Sequence, residues 1–227
     1  MKYDGITRES LFLFADNRFR DSREFYEEHK EELKQGLTVP MRQIAAEVGS
    51  KLYPLDPMMQ LIPTKMVSRI RRDTRYSKDK LLYRDNMWIM FMRDKHQWDC
   101  YPCFWFEVEQ TGYSMGIGTF GSCPGLMETY RKALRERPEE YLKIVKKIEK
   151  SGAMMYGQQY KKLPAGCPDG LEKYYISKSV GFIKYFPDLD DLKDEKIINI
   201  ILKEYKLYAP LYTFLLSVAD EYFSTQG

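Results

Sequence analysis

Apolar residues near the N-terminus recur at helical spacing, and the pattern predicts three helices in succession. Thr7 can cap a short first helix that carries Leu11 and Phe14 on one face and ends near Asn17. Asp21-Ser22 opens a second helix, buried through Phe25, Tyr26, His29 and Leu33. Its other face, from Glu24 to Lys34, is charged, and Gly36 is placed to stop it. Pro40 suits the first turn of a third helix, whose inner side would be Met41, Ile44, Ala45, Val48 and Leu52. Pro54, Pro57 and Pro63 then forbid helix, so the chain crosses to new structure.

From Lys65 the period changes to two. Met66, Ser68 and Ile70 would face one way, and Lys65, Val67, Arg69 and Arg71 the other. Asp73-Thr74 has turn chemistry, and residues 75–84 read as a loop. The nearly continuous apolar run from Met87 to Met92 predicts a strand buried on both faces. The clearest element is a hairpin. A turn near Gln110-Thr111 pairs Phe106 with Met115 and Phe104 with Ile117, so one face is wholly apolar. The reverse face carries Trp105 and Glu107 opposite Ser114, Gly116 and Gly118. Those glycines leave bare backbone, a candidate floor for a ligand site.

Ser122 and Pro124 start a further helix through Leu126, Tyr130, Ala133 and Leu134, and Pro138 opens another through Tyr141, Val145 and Ile148. Residues 151–173 are rich in glycine and proline and read as loop. Val180, Phe182 and Lys184 suggest a last strand, followed by two terminal helices over Ile197–Tyr205 and Leu211–Val218. Helices, then strands, then helices, with no internal repeat and no long linker, predict a single α+β domain over residues 1–227. Its centre would be a mainly antiparallel sheet between N-terminal and C-terminal helices.

Composition adds a ring-rich core, since 15% of the chain is aromatic. No apolar run approaches the ~20 residues that span a bilayer. Leu11–Ala15 is too short for a signal-peptide core and follows Asp4 and Glu9, so a cytoplasmic protein with no membrane partner is expected. Cys100 and Cys103 form a C-Y-P-C pair, while Cys123 and Cys167 stand alone. A redox pair belongs at a helix start, whereas this one opens a predicted strand. No second C-x-x-C supports a zinc site, even with His96 near. Ordinary reduced thiols are expected, with no metal and no cofactor that the residues name.

Charge changes the picture most. The window Lys65–Arg84 holds eight basic and two acidic residues, net +6, against +3 for the whole chain, so the remainder carries −3. That is a local electropositive feature. Arg69, Arg72, Arg75, Lys80 and Arg84 could collect an anion, because guanidinium forks match phosphate and carboxylate geometry; Ser77 and Tyr83 could add neutral donors. In the opposing view, Arg69 and Arg71 pair with Glu107 and Glu109 on a neighbouring strand while Asp73 and Asp79 tie down the loop, and the arginines are scaffold.

Other chemistry is thinly supported. Gly116-Ile-Gly118-Thr-Phe-Gly121 fits G-x-G-x-x-G, but it ends an antiparallel hairpin instead of the first turn of a βαβ unit. The helix start at Ser122 could still present N–H groups to an anion. G-x-S-x-G, the P-loop and H-E-x-x-H are missing. With His29 and His96 the only histidines, a His-dependent triad has little to stand on.

The run R-I-R-R-D-T-R-Y-S-K-D-K-L-L-Y-R at 69–84 resembles the signature of a bacterial conserved-hypothetical family, domain of unknown function 2461. Arg23–Lys30 (R-E-F-Y-E-E-H-K) and Gly116-Ile-Gly118 support it. The resemblance covers nearly the whole chain and implies a single domain, with Arg69, Arg72, Asp73, Arg75, Ser77, Lys80 and Tyr83 at matching positions. The chain departs where the family usually has Thr-Pro (here Leu81-Leu82), lysine (Arg84) and tryptophan (Phe25). Losing the proline is expected to loosen the loop before Tyr83. The resemblance brings no established activity.

The residues therefore suggest a protein that binds a small anionic, phosphate-bearing ligand at 69–84. Asp73 and Glu107 are the candidate catalytic carboxylates, and hydrolysis or transfer is the first reaction class to consider; whether the chain is an enzyme stays open. A carboxylate among arginines would have a lowered pKa, suited to an electrostatic role. The alternative is a non-catalytic interaction or scaffold module with a protein partner. Nucleic-acid binding comes third, with only Tyr76 and Tyr83 as stacking rings.

Overall fold

A computed structural model describes residues 3–75, 77–94, 100–119 and 123–226. Tyr76, His96, Gly121 and Ser122, named above, lie outside the described residues. Helix α1 (Arg8–Arg20) starts at Thr7, whose hydroxyl accepts from the Ser10 N–H. It runs past Asn17 until Asp21 turns into the left-handed region at φ 46°. Ser22 caps α2 (Arg23–Leu33). Gly36 does not stop it: one π-helical turn, Lys34–Thr38, carries the chain into α3 (Val39–Leu52). A Cβ at Gly36 would collide with the Ser10 side chain, so close approach of α1 accounts for the glycine.

The sheet is antiparallel throughout, in the order β1-β2-β3-β5-β4. Its strands are β1 (Met87–Phe91), β2 (Cys103–Glu109), β3 (Gly112–Gly118), the two-residue β4 (Met154–Met155) and β5 (Gly181–Phe186). The β2–β3 register pairs Phe104 with Ile117 and Phe106 with Met115, as the alternation predicts. The apolar face packs on α8 (Lys196–Ser224), where Phe104 stacks on Tyr212 with ring centres 4.8 Å apart. Lys184 points to the same side and bonds Glu204 at 2.7 Å. Helices α5 (Pro124–Glu136) and α6 (Pro138–Lys150), each opened by proline, flank α8. β4 lies in the stretch expected to be loop, and the short α7 (Glu172–Tyr175) begins at its end.

Three expectations are corrected. β1 buries Met87, Ile89 and Phe91 but leaves Trp88 and Met90 only half-buried, so it has one core face, not two. Pro63 does not exclude helix: it occupies the first turn of α4 (Pro63–Met66), where a missing N–H costs nothing. The two terminal helices are one 29-residue helix with Pro210 inside. Proline there removes a backbone bond, at roughly 3 kcal/mol. The apolar period continues through Tyr205, Tyr208, Leu211, Tyr212 and Leu215, all buried, and their packing outweighs that loss. Among the described residues no helix is both long and apolar enough to cross a membrane.

Candidate functional site

After α4 the chain is extended from Val67 to Arg72 along the β1 edge. The Ser68 N–H donates to the Trp88 carbonyl at 2.9 Å, and the Trp88 N–H donates to Ser68 Oγ at 3.0 Å. A bridge between Arg71 and Tyr83 and bonds from Arg72 N to Leu82 O (2.7 Å) and Arg84 N to Ile70 O (2.9 Å) bring the chain back. The period-two reading of this segment holds for Arg69 and Arg71, which are exposed. It fails at Val67, which is buried beside Met66.

The loop 73–81 is built from short side chains that satisfy backbone two residues on. Asp73 Oδ1 accepts from Arg75 N at 3.2 Å, and Asp79 Oδ1 accepts from Leu81 N at 3.0 Å. Arg75 closes on Asp73, with Nε 2.9 Å from Oδ1. Arg72, its side chain 20% exposed, pairs with Asp79 and donates to Ser77 Oγ at 3.3 Å. Lys80 Nζ donates to the Thr74 carbonyl at 2.9 Å. The end of α1 clamps the loop from outside: Arg18 donates to the Tyr83 carbonyl at 2.7 Å, and Asp21 Oδ1 accepts from the Leu82 N–H at 2.6 Å. A proline at 82 could not make that last bond. The leucine found here therefore ties the segment down where loosening was expected.

Ser77, Lys80 and Tyr83 thus each have a partner within the chain. Tyr83 is buried and stacks on Tyr26, ring centres 4.9 Å apart. None of the three lines the pocket beside the loop. That pocket, of about 860 Å³, is lined by Arg69, Arg71, Arg72, Arg75 and Arg84 from the expected stretch. Lys65, Arg93, Asp73 and Asp94 join its wall, and Trp88, Met90 and Met92 form its apolar side. Arg69, Arg71 and Arg84 form no ion pair among the described residues. Arg84 donates from Nε to the Arg69 carbonyl at 3.0 Å and lies over the Trp88 ring. Burial lowers its guanidinium pKa from the usual value, and the neighbouring Arg72 adds like-charge repulsion. Arg93, by contrast, is held by Asp56 (Nε to Oδ2, 2.7 Å) and Asp220 (Nη1 to Oδ1, 3.4 Å). Asp56 is 1% exposed and also accepts from the Tyr212 hydroxyl at 2.7 Å.

The two candidate carboxylates are not brought together. Asp73 is exposed on the cationic pocket, and its bonds from Arg75 hold the carboxyl down at about 2. Glu107 lines a neighbouring pocket of about 310 Å³ with Asn86, Trp88, Met90, Trp105, Tyr156 and Ile183. It accepts from Asn86 Nδ2, and neither Arg69 nor Arg71 pairs with it. Its carboxyl is pushed up, not down: burial raises it, the Asn86 bond pulls part of the way back, and Glu109 and Asp85 raise it further.

The glycine floor is covered by the protein's own rings. A Cβ at Gly116 would strike the Trp105 indole and one at Gly181 the Tyr156 ring, so glycine lets both rings lie on the sheet. Those two rings meet edge to face at 5.4 Å. Cys103 is buried at the start of β2, donates to the Gly118 carbonyl at 3.3 Å, and burial pushes its pKa up. His29 stacks on Phe25 at 4.1 Å, with Nδ1 3.0 Å from the Phe25 carbonyl oxygen.

Arg71, Trp88 and Met90 were not among the expected site residues. The signal was present for Arg71, which shares the outward register of Arg69; Trp88 and Met90 stand in an unbroken apolar run, and only the structure shows that they alternate with the core residues of their strand. Asp21 and Arg18 carry no signal of their own, because their partner lies about sixty residues on.

A search of curated proteins finds no match to this chain. A family model described as "Conserved hypothetical protein (DUF2461)" matches residues 10–214 of the 227, spanning the first helix, the arginine loop, the sheet and most of the last helix. The chain belongs to the DUF2461 family.

Proposed function

We propose that this protein binds a small anionic, phosphate-bearing ligand over Arg69, Arg71 and Arg84. One observation carries the reading: three guanidinium groups with no ion pair among the described residues line a single pocket large enough for a metabolite. Arg72 and Arg75 serve the scaffold role, since Asp79 and Asp73 already take their charge. Should a reaction follow binding, hydrolysis or transfer on the phosphorylated ligand, Glu107 suits proton handling better than Asp73, because its pKa is raised and that of Asp73 is depressed.

Thermal-shift screening against phosphorylated metabolites tests the reading. A ligand at ~100 times its Kd should add ~2.7 kcal/mol to stability, and the Arg69→Ala, Arg71→Ala double variant should lose that shift while keeping its unliganded melting temperature. If no anion shifts the wild-type protein, the proposal fails and the exposed arginines are solvated surface.

A further inference from the structure

The cationic pocket and the Glu107 pocket share two lining residues, Trp88 and Met90. Both lie on the face of the sheet turned away from α8, and both have direct cross-strand partners in the second pocket: Trp88 opposes Glu107 and Met90 opposes Trp105. Along this row the character changes sharply. At one end is the Arg84 guanidinium over Trp88; one strand spacing on, roughly 4.8 Å, is a single half-buried carboxylate among Trp105, Tyr156, Met90 and Ile183. From Arg84 across Trp88 to Glu107 is therefore on the order of 10 Å. One small molecule can touch both ends.

We infer that the ligand is bipartite: a phosphate monoester held by Arg69, Arg71 and Arg84, joined to a flat ring that lies against Trp88 and Met90 and offers an N–H or amino donor to Glu107. A molecule of nucleoside-monophosphate size and chemistry fits. The ring is required because the second pocket is walled by flat and apolar side chains, which reward stacking. The donor is required because Glu107 is the only acid lining it among the described residues, and Asn86 bonds one of its oxygens, Oε1. The Asn86 bond fixes the carboxyl group's orientation and leaves Oε2 to recognise a partner.

This inference rests on the anion-binding reading above, so calorimetry should compare ribose 5-phosphate, the common nucleoside monophosphates and the free nucleosides. At least one nucleotide should bind ~10-fold tighter than ribose 5-phosphate, the scale of one base stacked on aromatic rings. Glu107→Gln should weaken that nucleotide about tenfold and leave ribose 5-phosphate unchanged, while Arg69→Ala should weaken both. Ile183→Trp, which narrows the ring pocket at a residue that does not line the cationic one, provides the same separation should Glu107→Gln fold poorly. If ribose 5-phosphate binds as well as every nucleotide and Arg69→Ala weakens them all, the ring site is wrong and the anion site stands. Free nucleosides binding as tightly as their phosphates would also overturn the bipartite ligand. If no phosphate compound binds at all, the anion reading itself is lost.

Discussion

The Arg84 guanidinium lies 4.1 Å from the centre of the Trp88 ring, so a charge that faces the pocket and a ring that floors it hold each other in place. Lysine would keep the charge and lose both the planar stacking and the fixed donation to the Arg69 carbonyl. Arg84→Lys should lower stability by about 0.5–1 kcal/mol, the usual worth of a partly exposed cation over an aromatic face. It should also weaken phosphate binding measured by titration. An unchanged phosphate isotherm would mean that Arg84 is not a ligand residue.

Acid should loosen the arginine loop before the rest of the fold. Asp73 and Asp79 both titrate at about 2 in the folded protein, Asp73 through Arg75 and Asp79 through the Leu81 N–H and then Arg72. An unfolded aspartate titrates near ~3.9. With the folded value below the unfolded one, their contribution is complete above pH ~4 and disappears as the pH falls to 2. Hydrogen exchange at Leu81 and Arg75 should accelerate across that window while the amides of β2 and β3 stay protected. Uniform acceleration would show that the loop has no separate acid transition.

Glu107 should show the opposite sign. Its folded pKa is raised, chiefly by burial, so its ionisation opposes folding: stability is greatest below the unfolded value and falls as the pH rises through the folded one. Glu107→Gln keeps an acceptor for Asn86 and removes the charge. The variant should have a higher urea midpoint than the wild type at pH 7, with the difference vanishing near pH 4. A lower midpoint at pH 7 would show that the ionised carboxylate stabilises the fold.

Tyr83 separates anchor from ligand. Buried and stacked on Tyr26, it should tolerate loss of its hydroxyl but not of its ring. Tyr83→Ala should cost about 3–5 kcal/mol, the range for emptying an aromatic site in a core. Tyr83→Phe should leave phosphate binding unaltered. A phosphate affinity that drops in Tyr83→Phe would return the hydroxyl to the site.

The parts legible in the sequence were those whose partners are near in the chain. The β2–β3 register follows from alternation on either side of Gln110-Thr111, and α5 and α6 announce themselves with Pro124 and Pro138. The charge density of 69–84 was visible, but its division was not. Whether an arginine is spent on a neighbour or left to the pocket depends on the path of a loop whose bends are set by Asp73, Asp79 and the distant Asp21. Glu107 was misjudged for the same reason: the arginines expected beside it lie across Trp88, in the other pocket.

Pro210 shows the limit of a local rule. It sits on the exposed side of α8, where its missing N–H leaves the Lys206 carbonyl to water and the buried face is undisturbed. Pro210→Ala should stabilise the protein by about 1–3 kcal/mol in chemical denaturation, and a loss of stability would place the proline in a bend that the packing needs.

Arg93 sets how the cationic pocket can respond to an occupant. To reach inward it would have to abandon Asp56, and stranding a carboxylate that deep costs roughly 3–5 kcal/mol; it therefore stays with Asp56, which also accepts from the Tyr212 hydroxyl. The opposite wall, the 67–84 segment, is held from behind by Arg18 and Asp21 at the end of α1, so each side of the pocket is anchored by a helix far away in the sequence.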